Sequence, residues 1–164
     1  MNKVNLKELY ELQAQLDEEI AVKHNVNYEV THDKRLLALI VEIGELANET
    51  RCFKYWSNKG PSAKEIVMDE FADGLHFFLS LGIPLKASKF EYEICECKEE
   101  LTKQIHKLYK AIILMQEKYD LETYENAFQI FLNLTPSLGM NSDDIIASYK
   151  CKLSVNYKRQ ETNY

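Results

Sequence analysis

Residues 33–53, DKRLLALIVEIGELANETRCF, carry two patterns on one periodicity. Leu36, Ile40, Ile43 and Ala47 recur at steps of three and four and make one apolar stripe, as on a helix packed against a core. Glu42, Glu45 and Glu49 follow the same steps within a different sector, about 60° wide at 100° per residue. The stretch therefore predicts a helix over 33–53 with a carboxylate ridge turned away from its core face. Solvated acidic faces usually interleave Lys or Arg with the acids, and this one hardly does. Gly44, beside the ridge, leaves room for a second helix to approach.

A second ridge follows. Ser62 and Glu65 form a capping-box pattern that opens a helix ending near Gly82, before Pro84. Within it Glu70 and Asp73 make an i, i+3 pair, with Phe77 continuing the face and Asp69 at its edge. Two like charges about 4 Å apart repel by about 1 kcal/mol in water and about 4 kcal/mol at an intermediate dielectric, so facing ridges call for cations. Ligands that are all oxygen favour Mg²⁺, with Mn²⁺ a substitute.

The remaining chain is also periodic at helical spacing, and no sustained alternation predicts strands. Asn5 with Glu8 predicts a first helix reaching His24, followed by a polar connection over 25–32. Ser88 with Glu91 opens an apolar stripe from Phe90 to Tyr119, read as one long helix of roughly 45 Å. A shorter helix over 124–134 stops at Thr135-Pro136, and a last one starts near Ser142. The predicted fold class is all-α: a bundle of about six helices, with a metal site between the two that bear carboxylates. At 164 residues, 46% hydrophobic and with 5 Gly and 3 Pro, residues 1–164 read as a single domain.

Charge and targeting exclude several classes. Twenty Lys and Arg against 26 Asp and Glu give a net charge of −6, which weighs against nucleic-acid binding through phosphate neutralisation. The first residues contain no signal-peptide apolar region, and the apolar stretch Leu75–Leu85 is about half of the roughly 20 residues a membrane span requires. Cys52, Cys95, Cys97 and Cys151 lack paired zinc spacing and suit free thiols. A cytoplasmic protein with no membrane partner is expected.

Glu-x-x-Glu at 42–45, then 24 residues, then Glu-x-x-Asp at 70–73 resembles the metal-binding signature of the all-α nucleoside triphosphate pyrophosphatases. EIGELANETRCFKYWS at 42–57, EFADGLHFFLSLG at 70–82 and KLSVNYKRQ at 152–160 resemble, within them, the dimeric dUTP diphosphatases, in order along nearly the whole chain. The resemblance implies Mg²⁺-dependent cleavage of dUTP to dUMP and pyrophosphate by a homodimer, with dUDP open as a second substrate. It assigns the metal to Glu42, Glu45, Glu70 and Asp73, and a ridge carboxylate, Glu45 or else Glu49, to accept a proton from the attacking water.

The substrate contacts it implies need residues whose blander readings differ. Trp56, by itself a partly buried anchor, would close over the uracil, with Lys54 near phosphate. His76, by itself a structural histidine, would lie near the base, and Phe77 against the deoxyribose. Gln13 sits inside an apolar stripe where a buried amide must find partners; it would read the uracil edge with Asp17, which stands where the family usually has Asn. Lys152, Asn156 and Arg159, otherwise an exposed basic strip, would hold the phosphates with Tyr164.

Three alternatives remain at this level. One keeps the site and changes the substrate to dCTP or a noncanonical nucleotide. A ferritin-like di-iron protein requires two Glu-x-x-His motifs, and the only one, Glu29 to His32, falls in the predicted connection. A helical interaction protein would use the long 88–119 stripe.

Overall fold

The computed structural model describes residues 2–162. The chain runs β1 (Asn2–Asn5), α1 (Lys7–His24), α2 (Tyr28–Thr50), α3 (Lys64–Gly82), β2 (Glu91–Ile94), α4 (Leu101–Glu117), α5 (Leu121–Leu132) and α6 (Ser142–Glu161), with a 3₁₀ turn at Thr135–Leu138. It is an all-α bundle of six helices carrying one small antiparallel ribbon, in which Val4 lies opposite Tyr92. The most extensive helix pairing is α2 on α3, the two helices that bear the acids, and α6 also packs on α3.

Apolar burial fixes that pairing. Leu36, Leu39, Ile43 and Leu46 of α2 share one core with Phe71, Leu75, Phe78 and Leu79 of α3 and with Phe128 and Phe131 of α5. Phe71 and Phe131 stack with centroids 4.4 Å apart. Gly74 permits the approach: a Cβ there would lie 3.2 Å from the Phe131 ring and 3.3 Å from Ile43 Cδ1. Among the described residues no helix is long and apolar enough to cross a membrane.

Several expected boundaries are corrected. The single helix over 88–119 does not form. Its first part is β2, whose Tyr92 and Ile94 face inward while Glu91 and Glu93 face out, and the acidic run 96–100 precedes α4. Phe90 and Ile94 satisfy helical and strand spacing alike, and pairing with β1, backed by the bond from Leu6 N to the Phe90 carbonyl, decides for the strand. The absence of strands was therefore a wrong expectation, and with the long stripe goes the surface proposed for an interaction protein.

At the N-terminus Asn5 makes no capping box with Glu8. Its Oδ1 accepts from Lys7 N at 3.0 Å, and α1 begins after the strand. The connection shrinks to a few residues because Asn27 caps α2 through Val30 N, which makes Glu29 and His32 helical. Arg51, at φ 58°, ends α2 before Phe53. Ser62 does not cap α3, since its hydroxyl donates to Glu49.

Candidate active site

The two ridges face each other. Carboxylate oxygens of Glu42 and Glu45 on α2 and of Glu70 on α3 all lie within 4.8 Å of one another, the only such acidic, His or Cys group among the described residues. Oxygens alone at this spacing are donors of the kind that holds a hard divalent cation. The electrostatics agree with that need. Burial first, then the charges of Asp73, Glu45 and Glu70, push the Glu42 carboxyl up to about 7, and burial with Glu45 and Asp73 raises Glu70. No histidine joins the group, which removes the di-iron alternative; His32 packs on the Tyr119 ring instead.

Asp73, the fourth expected ligand, lies beside this trio and is held by a cation from α6. Lys152 Nζ donates to Asp73 Oδ2 at 2.6 Å and to Asp69 Oδ2 at 2.7 Å. Lys152 is 5% exposed, so burial works against its charge, and the two carboxylates more than offset this and raise its pKa. Burial raises Asp73 while Lys152 opposes the shift.

Next to the carboxylates is a cavity of about 370 Å³ lined by Gln13, Glu42, Asp73, His76, Phe77, Asn156 and Arg159, among others. Its polar wall is one continuous network. Asp17 Oδ1 accepts from Gln13 Nε2 at 2.9 Å, and Oδ2 accepts from Ser80 Oγ at 2.6 Å and from Tyr28 OH and Arg35 Nη1 at 3.0 Å each. Gln13 Oε1 in turn accepts from Tyr149 OH at 2.9 Å and lies 2.7 Å from His76 Nδ1. His76 stacks on the Tyr149 ring at 4.1 Å, and burial pulls its pKa down to about 4, with a hydrogen bond to the Tyr149 main chain acting the other way.

Gln13, Asp17, His76, Phe77, Asn156 and Arg159 thus meet at one cavity, with Lys152 at its carboxylate end. Lys54 and Trp56 are not among its lining: Lys54 Nζ donates to Asn48 Oδ1 at 2.6 Å, and Trp56 is 65% exposed, packed edge-on against Phe53 and Tyr55. Glu49 stands outside the trio and accepts from Ser62 and Asn48. Tyr164 lies outside the described residues. Sequence reasoning missed Tyr28, Arg35 and Ser80. Only the burial of an acid at Asp17 demanded partners of this kind, and burial at one polar position leaves no periodic trace.

A helical bundle whose facing carboxylates adjoin a cavity with cations along one side is the arrangement of an all-α nucleotide hydrolase. The dUTPase family model matches residues 5–164, and the chain belongs to that family. It is a hydrolase of nucleotides. No curated protein matches the sequence.

Proposed function

We propose that this protein hydrolyses dUTP to dUMP and pyrophosphate with Mg²⁺, for which Mn²⁺ can substitute, in a single domain spanning 1–164. One observation carries the reading: Glu42 belongs both to the carboxylate trio and to the cavity wall that holds Gln13, His76 and Phe77. A nucleotide whose base fills the cavity thereby brings its phosphates to the acids. Glu42, Glu45, Glu70 and Asp73 would hold the metal, which when bound neutralises phosphate charge and acidifies the attacking water. Glu45 takes the proton from that water, with Glu49 the second candidate.

Lys152, Asn156, Arg159 and Tyr164 hold the phosphates, with Lys54 a further contact. Gln13, Asp17, His76 and Trp56 read the uracil, and Phe77 packs on the deoxyribose, where a ring face excludes a 2′-hydroxyl. The protein works in the cytoplasm, where its free thiols stay reduced, without nucleic-acid or membrane partners. It acts as a homodimer, for which exposed Leu37 and Val41 on α2 and Ile113 and Leu114 on α4 supply apolar surface.

The test is a panel of dUTP, dUDP, dCTP, dTTP and UTP with Mg²⁺, products separated by chromatography. Strong preference for dUTP, abolished by a chelator, is expected. Equal rates on dCTP, or activity indifferent to the chelator, would remove the assignment. Light scattering on the same sample reads the dimer.

A further inference from the structure

Lys152 carries a charge into the interior. It is 5% exposed, and its Nζ donates to Asp73 Oδ2 at 2.6 Å and to Asp69 Oδ2 at 2.7 Å. An ammonium so placed is tolerated only while carboxylates accompany it. The two acids stand one turn apart on α3, close enough for one ammonium to bridge them. Their surroundings differ. The Asp73 side chain is 20% exposed and lines the cavity, whereas that of Asp69 is 54% exposed and lies outside both the cavity wall and the carboxylate trio.

Two cations thus claim Asp73. Without metal it serves Lys152; as a metal ligand, the part given to it above, it must also serve a divalent ion. The ion and the ammonium repel each other across it, and the charge of Lys152 already reaches Glu42 and Glu70 of the trio. When Asp73 turns to the metal, a nearly buried ammonium loses much of one counter-charge just as further positive charge arrives. Asp69, standing apart from the trio, is the carboxylate that Lys152 keeps.

We propose that Asp69 is a positioning residue that holds Lys152 in place while Asp73 turns to the divalent cation. The inference rests on the proposed function for the part of Asp73, and deepens it by naming the acid that lets metal and ammonium share one site. Two of the three N–H groups of Lys152 go to the acids, and the third remains for a phosphate oxygen. Without Asp69, Lys152 falls back on Asp73 and competes with the metal for it. Asp69 itself need touch neither metal nor nucleotide.

The test is calorimetric titration of Mn²⁺, without nucleotide, into the full chain and into Asp69→Asn, Lys152→Met and the two combined. Asparagine keeps the shape and an accepting oxygen and removes the charge. Asp69→Asn should weaken Mn²⁺ binding several-fold, and Asp69→Glu, which keeps the charge on an exposed side chain, should recover most of it. With Lys152→Met already present, Asp69→Asn should change the affinity by less than about twofold, because the residue it acts through is gone. Equal weakening in both backgrounds would show that Asp69 acts on the metal as a bare charge. No weakening in either would show that it is only a surface partner of Lys152. Each of these results overturns the proposal.

If a variant fails to fold, the wild-type protein gives a second reading. The ¹H–¹⁵N resonance of the Lys152 ammonium, assigned by its loss in Lys152→Arg, should persist at saturating Mg²⁺ because Asp69 still holds it. Its disappearance into exchange with water on adding Mg²⁺ would overturn the proposal. An active dUTPase whose Mn²⁺ affinity ignores Asp69 would sink this inference alone. Failure to turn over any deoxyuridine nucleotide would sink the proposed function, while the Mn²⁺ titrations still decide what Asp69 does.

Discussion

Lys152 donates to Asp73 at 2.6 Å, so an acid of one carboxylate ridge is neutralised by an ammonium from a different helix. The protein thereby supplies its own cation at the edge of the acidic site. Lys152→Met frees Asp73 and leaves more uncompensated negative charge beside the trio. Calorimetric titration without nucleotide should then show tighter Mn²⁺ binding, several-fold by the Coulomb argument. Turnover should fall, because a phosphate contact is lost. Weaker metal binding in the variant would show that Lys152 only props up the helices.

Glu42 makes the metal-free protein sensitive to pH. Its carboxyl, pushed from 4.5 up to about 7, holds a proton more tightly in the folded than in the unfolded state. Between those values unfolding releases protons, so stability from this group falls as pH rises through the window, and the deficit is complete above it. In chelator, the Tm of wild type should drop more from about pH 5.5 to about pH 8 than that of Glu42→Gln. Added Mg²⁺ should raise the wild-type Tm more at the higher pH. Parallel pH profiles would contradict the shift.

The two candidates for the base differ in their surroundings. Glu45 stands in the trio, whereas Glu49 accepts from Ser62 and Asn48. At saturating Mg²⁺, Glu45→Gln should lower kcat by about 100-fold or more and Glu49→Gln by clearly less. The reverse order would move the role to Glu49.

At the C-terminal end, Arg159 lines the cavity while Tyr149 and Leu153 are buried, so a point change is cleaner than a truncation through α6. Arg159→Ala should cut kcat/KM for dUTP by roughly 100-fold, as expected for a charge-assisted contact to a transferring phosphoryl group. Arg159→Lys should restore only part, since a point charge lacks the planar fork. A loss within about twofold, near 0.4 kcal/mol, would leave Arg159 a solvated terminus.

Gly82→Ala should destabilise the fold by about 1–3 kcal/mol in denaturant titrations, by overpacking. A Cβ there would lie 2.3 Å from Tyr124 OH, whose hydroxyl is fixed by Tyr10 at 2.6 Å and by the Phe78 carbonyl at 3.0 Å. An unchanged midpoint would mean that this corner yields.

Gly82 also shows what was legible in the sequence. The helix stop there was readable, but the clash with Tyr124 was not, because it joins residues on two different helices. Likewise the carboxylate ridges follow from spacing within single helices, and their facing was readable because charge demands a partner. Asp17, Arg35 and Ser80 come from three helices and meet only after packing, so no local period announces them. Strand β2 hid for another reason: four residues are too few to separate a period of two from one of 3.6.

The β1–β2 ribbon bears on how the chain acquires its shape. Val4 finds Tyr92 only after α1, α2 and α3 have all been made, so β1 waits for a partner three helices further along the chain. Pairings so distant along the chain carry a loop-closure cost and come late in folding. Helix α1 follows β1 directly and carries Gln13 and Asp17 into the polar wall of the cavity. An amino-terminal fusion therefore loads the strand that leads into that helix, and a carboxy-terminal one loads the helix that bears Lys152 and Arg159; a tag inserted in the exposed 58–61 loop spares both.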